Sequence, residues 1–269
     1  PQLGAPLGLI VASLLFLFLI TALPAEDFLD WGWRYPFFVA FAINVVALFA
    51  RLRIVVTPEY SALFEARELD VAPVTETIRT NWKVIVFGAF APLASFAMFH
   101  MVTVYPLSWV YLYTDESPVQ FLIIETIAAA IGVIAIIASG LLADRFGRRT
   151  VLGATAAAIA VFSAFAPTML DAGGSGEAVF MIVGFIILGL GFGQASGALS
   201  NNFVQRHRYT ASALTSDLAW LFGAGFAPFL ALWLSSQYGL IAAGGYLLSG
   251  AVGTLVALWL NRSLASTID

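Results

Sequence analysis

Apolar residues run along this chain in eight long blocks, at 3–23, 35–52, 82–105, 119–142, 150–168, 178–200, 211–234 and 240–260. They show neither the alternation of a half-buried strand nor the single stripe of a surface helix. About 20 mostly apolar residues carry a helix across a bilayer, so each block predicts one transmembrane span. Without two-residue alternation there is no basis for a transmembrane barrel. The polar joints between blocks are short except for 53–81, which reads as a connector between two bundles. Within it Thr57, Pro58 and Glu59 form a helix-start signal, followed by Tyr60, Leu63, Phe64 and Arg67 at helical spacing. That pattern predicts a short amphipathic helix along the membrane surface.

Composition strengthens this picture. Only 10% of the 269 residues are charged, against about 25% in soluble domains, and the mean hydropathy is +0.93. So little polarity cannot cover a soluble surface, and the chain is expected to be an all-α polytopic membrane protein. Cysteine is absent, which removes disulfides, thiolate nucleophiles and sulfur-ligated metals. The first residue is Pro1, and the first block lacks a basic leader. It reads as a helix entered from upstream and the chain as a fragment.

Charge sets the orientation. Placing residue 1 on one side puts Arg51, Arg53, Arg67, Arg79, Lys83, Arg145, Arg148, Arg149, Arg206, Arg208 and Arg262 on that side. Only Arg34 of the 12 basic residues falls opposite, among Glu26, Asp27, Asp30, Asp115, Glu116, Asp171 and Glu177. The positive-inside rule makes the basic side cytoplasmic, so both ends of the chain are expected inside the cell. Trp31, Trp33, Tyr105, Trp109, Tyr111, Tyr113, Trp233 and Tyr238 mark the outer interface.

The densest charge lies in "GLLADRFGRR", a tight joint between the fourth and fifth spans that holds Gly140, Asp144, Arg145, Gly147, Arg148 and Arg149. This run resembles the loop signature G-x-L-A-D-R-x-G-R-K of the major facilitator superfamily, with Arg for the final Lys. The resemblance implies twelve helices in two six-helix halves, with the signature after the second helix of each half. Here it follows the second span after the connector. The eight spans would then be helices 5–12, with the first four missing from the fragment. On this reading 1–52 closes the N-terminal half, 53–81 is the cytoplasmic connector and 82–269 is the C-terminal six-helix bundle. The resemblance also implies that Asp144 and the arginines form a charge-relay clamp on a moving cytoplasmic gate.

"GWRYPFF", "RLRIVVTPEYSAL" and "RHRYTASALTSDLAWLFGAGFAP" look like the metabolite:proton symporter family, whose members move proline, betaine, shikimate, citrate or 2-oxoglutarate with protons. "GAPLG" near the start only faintly echoes the signature of proton antiporters, which favours symport.

Ionisable groups inside spans are costly, at about 2.5–3.5 kcal/mol each, and mark cavities or partners. Glu125, two turns in from the outer end of its span, is a candidate coupling carboxylate, and His100 a candidate partner for it. Asp217, with Ser216 beside it and Trp220 one turn on, is expected to line the translocation path, as is Gln194. Asn201 and Asn202 lie near the cytoplasmic end of their helix as candidate caps, and Asn44 as interhelical glue. The glycines of "GLGFGQASG" lack the preceding strand of a nucleotide loop and are expected to serve close helix packing. Pro92 and Pro228 are expected to interrupt their helices.

These readings converge on secondary active transport of a small organic acid or zwitterion across a bacterial inner membrane, by proton symport with alternating access. Nothing calls for a cofactor, metal or nucleic acid, and paired histidines for membrane enzymology are lacking. The partners are the metabolite, protons, the bilayer and the missing N-terminal helices. A uniporter, exchanger or efflux antiporter of the same fold is the second reading, with the fragment itself inactive.

Overall fold

The computed structural model describes residues 2–55, 72–200 and 203–260, and among these every regular element is helical. The connector helix expected at 57–67 and the caps Asn201 and Asn202 lie outside the described residues. In chain order the helices are α1 (Gly4–Ala22), α2 (Ala25–Asp30), α3 (Tyr35–Val55), α4 (Val74–Ala89), α5 (Leu93–Thr103), α6 (Tyr105–Tyr113), α7 (Pro118–Phe146), α8 (Arg148–Asp171), α9 (Gly174–Ser200), α10 (Gln205–Trp220), α11 (Ala227–Tyr238) and α12 (Leu240–Leu260). Among the described residues, eight stretches are long and apolar enough to cross a membrane, each overlapping one of the eight expected blocks.

One boundary differs in kind. The third span was expected as one helix over 82–105, but its continuous membrane stretch is Leu93–Tyr113, and α4 is a separate helix leading into it. Pro92 ends the ladder here because it has no N–H and its ring disfavours a helical residue before it. The seventh span is also divided: a π-helical turn over Leu221–Gly225 separates α10 from α11, just before Pro228.

Both breaks free backbone groups that lipid cannot satisfy, and α12 supplies the partners. Thr254 Oγ1 accepts from the Ala94 N–H at 2.8 Å and donates to the Phe90 carbonyl at 3.1 Å, bridging the gap around Pro92. Tyr246 donates its hydroxyl to the Gly223 carbonyl in the π turn at 3.1 Å. The two breaks also touch each other, because a Cβ on Gly223 would come within 2.9 Å of Phe96 Cβ and 3.2 Å of the Leu93 carbonyl.

The most extensive packing is between α7 and α9. Gly189 and Gly193, four residues apart on one face of α9, let it approach α7 closely, and Gly197 one turn on leaves room for the Arg148 side chain of α8. A Cβ on Gly189 would lie 2.6 Å from Ala135 Cβ and 2.7 Å from the Gly132 carbonyl; one on Gly193 would strike Ser139 Oγ. Gly189→Leu should therefore lower the stability of the extracted protein by about 1–3 kcal/mol through overpacking. Thermal unfolding in detergent checks this, and an unchanged midpoint would mean that the seam is not tightly held.

Around this seam Phe96, Met98, Met101, Val102, Phe121, Phe162, Phe180 and Phe185 form the buried core. α1 packs on α7, whereas α3 presents Phe37, Phe38, Phe41, Val46 and Phe49 outward, each more than 60% exposed. On the basic side α4 packs against α10, with Thr77 Oγ1 3.0 Å from His207 Nδ1 and an exposed Glu76–Arg206 ion pair at 3.3 Å. The ion pair is solvent-screened and adds little stability.

Candidate functional site

The loop motif turns on Gly147, whose φ of 82° and ψ of 142° place it in backbone space that side chains rarely enter. Its N–H donates to the Ala143 carbonyl at 2.9 Å, closing α7, and its carbonyl accepts from the Val151 N–H at 3.2 Å, opening α8. The turn aims Arg148 and Arg149 at two different helix ends. Arg148 Nε donates to Gln194 Oε1 at 3.2 Å, and its Nη1 donates to the Gly197 carbonyl at 2.8 Å. Arg149 Nη2 donates to the Leu258 carbonyl near the end of α12 at 2.5 Å. Unpaired carbonyls and the negative end of the helix dipole make such C-terminal turns natural sites for guanidinium groups.

Gln194 therefore packs with the loop motif, with Nε2 donating to Ser139 Oγ at 3.0 Å and thereby linking α7, α8 and α9. Asp144 and Arg145 are exposed, and among the described residues neither takes part in an ion pair. In this conformation Arg148 and Arg149 hold carbonyl oxygens, and among the described residues Asp144 makes no ion pair with the arginines. A Cβ on Gly140 would meet nothing within 4 Å, so packing within the described residues makes no demand for glycine there.

Deeper in the bundle, Glu125 is 2% exposed on the face of α7 that meets α1. Ser13 donates to its Oε2 at 2.9 Å, while its Oε1 is buried without a hydrogen-bond partner. A carboxylate so placed leaves lone pairs unmet at substantial cost, and a proton on it reduces that cost. The expected partner, His100, is elsewhere: its ring lies edge-on to Phe99 at 5.3 Å, with Nδ1 buried and unpartnered.

His100 instead joins an aromatic cluster with Phe96, Phe99, Phe192 and Trp220, drawn from α5, α9 and α10. Trp220 lies 4.6 Å from Phe96 and 5.3 Å from Phe99 between ring centroids. Phe99 and Phe192 also line a void between α1, α5, α7 and α9, together with Ala5, Leu9 and Gly132. At about 10 Å³ it holds one water at most, so α1 packs closely on the bundle there.

Ser216 is half-buried, and Asp217 is exposed. α10 begins at Gln205, so Asp217 lies twelve residues in, about 18 Å along the helix axis. An ionised carboxylate at that depth is costly against hydrocarbon, so this face of α10 belongs against water or further polypeptide. Near the acidic end, Glu177 is 3% exposed with Oε1 unpartnered, and Glu116 is its charged neighbour.

Ser13, Ser139, Thr254 and the phenylalanines around Trp220 were not singled out from the sequence. Small hydroxyls and phenylalanines are common in membrane helices, and their roles here come from partners up to 164 residues away.

A helical membrane bundle with this charged loop motif, two interrupted helices and a buried carboxylate has the architecture of a transporter. The chain belongs to the Major Facilitator Superfamily, which matches it over residues 2–228. It is 33% identical over 97% of its length to the inner membrane metabolite transport protein YhjE of Escherichia coli K12. It is 27% identical over 97% to the citrate-proton symporter of Klebsiella pneumoniae, and 28% identical over 94% to the proline/betaine transporter of Escherichia coli K12. The chain covers 61%, 60% and 53% of these relatives, respectively. The family and these relatives are transporters, not enzymes. No solved structure matches the chain significantly.

Proposed function

We propose that the protein to which this chain belongs moves a small organic acid or zwitterion into the cell with protons, by alternating access. The observation that carries this reading is Glu125, a buried carboxyl with one oxygen unmet, set where α1 meets the bundle built from α5 onward. In the division into 1–52, 53–81 and 82–269, that seam joins the two halves whose rocking exposes a central site to either side. Protonation of Glu125 would favour the closed seam, and deprotonation would favour hydration and opening. Trp220, His100, Ser216 and Asp217 would face the path from the bundle side. Gly140, Asp144, Arg145, Gly147, Arg148 and Arg149, with Gln194, would set the cytoplasmic gate. Kinship with a citrate-proton symporter and a proline/betaine transporter supports both the coupling ion and the substrate class.

Uptake into proteoliposomes containing the full-length protein tests the proposal. An imposed inward proton gradient should drive accumulation of citrate, proline or betaine above the equilibrium level. A solute that equilibrates equally fast without the gradient would make the protein a uniporter or exchanger instead.

A further inference from the structure

A roomy groove lies away from the seam beside α1, between α7, α8 and α9 toward their basic-side ends. It measures about 230 Å³, roughly fifteen times what one water needs. Leu142 and Phe146 form one wall, Val151, Ala154 and Ala158 the floor, and Ile187 and Leu190 the other wall, with no polar surface exposed inside. Its surroundings face hydrocarbon, since Ile134, Ile137, Leu141 and Val161 are all more than 55% exposed.

The mouth differs from the interior. Thr150 stands there, and the Arg145 guanidinium lies 5.3 Å from the ring of Phe146, which itself lines the groove. Arg148 and Arg149 are committed to carbonyls of α9 and α12, whereas Arg145 is exposed and in no ion pair among the described residues. Asp144 precedes it by one position, and adjacent residues on a helix do not face each other. The result is a dry channel for hydrocarbon ending beside a cation that, among the described residues, is in no ion pair.

We propose that this groove is a binding site for one anionic phospholipid of the cytoplasmic leaflet, with an acyl chain between α7, α8 and α9 and its phosphate on Arg145 and Thr150. Charge complementarity selects the occupant. A neutral detergent-like chain would fill the groove but leave Arg145 unmatched, and a water-soluble anion would leave the groove empty. The site is independent of which solute is carried and of how transport is coupled. Because Arg145 lies in the gating loop, an occupied site would tie the inner ends of α7 and α8 to the membrane surface.

Native mass spectrometry of the delipidated full-length protein tests this, with phosphatidylglycerol and phosphatidylcholine of identical chains added at equal concentration. One phosphatidylglycerol should be retained with about fivefold preference, the weight of one basic side chain at an anionic surface. Arg145→Gln should erase the preference, and Ala154→Leu, which fills the floor, should lower retention of both lipids. Ala213→Leu, on the exposed face of α10, should change nothing. Each variant is compared at matched elution volume and unfolding temperature. Equal retention of both lipids by the wild type, or wild-type preference in Arg145→Gln, would reduce the site to ordinary annular lipid. Loss of preference in Arg145→Gln with full retention in Ala154→Leu would overturn the groove as the chain's location.

Discussion

Arg148→Ala is expected to slow uptake by the full-length protein by roughly ten- to a hundredfold. The substitution removes the donors to Gln194 Oε1 and the Gly197 carbonyl, so the inner ends of α8 and α9 lose their link. Hydrogen bonds to a charged group contribute about 1.5–3 kcal/mol, and each 1.36 kcal/mol is a tenfold change in population. A transporter that must pass through the latched conformation in every cycle would spend correspondingly less time there. Arg148→Lys keeps the charge but not the fork, so it should hold the Gly197 carbonyl, lose Gln194 and fall between the two. Initial rates in proteoliposomes, at matched protein incorporation, read the effect. Wild-type rates in Arg148→Ala would show that the latch is not part of the working cycle.

Glu125→Gln should separate two activities that a merely structural residue would lose together. Glutamine keeps the length of the side chain and still accepts from Ser13, but it cannot take up and release a proton. Gradient-driven accumulation is therefore expected to vanish, while exchange of labelled for unlabelled solute continues at a substantial fraction of the wild-type rate. Equal loss of both activities, with a lowered unfolding temperature, would reassign Glu125 to packing. Full accumulation in the mutant would move proton coupling to another group, with Asp217 the next to test.

Much of the architecture was readable before any coordinates, because membrane helices announce themselves by length and apolar content alone. The eight spans and the glycine face of α9 belong to that category, as does the loop motif with its required turn at Gly147. What resisted reading was pairing. Glu125 is visibly an ionisable group in a span, but nothing local to it points to Ser13, 112 residues earlier. Gln194 could be read as a path-lining amide, and only the curvature of the bundle brings it to Arg148, 46 residues away. Asp144 and the arginines share one short loop, yet helix ends arriving from α9 and α12 offered the arginines better-placed acceptors. The third span was misplaced for a related reason. Its apolar run is continuous across Pro92 and Pro106, so hydropathy hides where one helix stops and the next begins.

The bridging of both interrupted helices by α12 bears on how the protein is made. Synthesis proceeds from the N-terminus, so the helices around Pro92 and the π turn enter the membrane before Thr254 and Tyr246 exist. Until then the Ala94 N–H and the Gly223 carbonyl lack these partners inside the bilayer, where an unsatisfied backbone group is costly unless water reaches it. The two breaks are thus completed only once α12 has entered the membrane, and a chain stalled before Leu240 would keep both seams open.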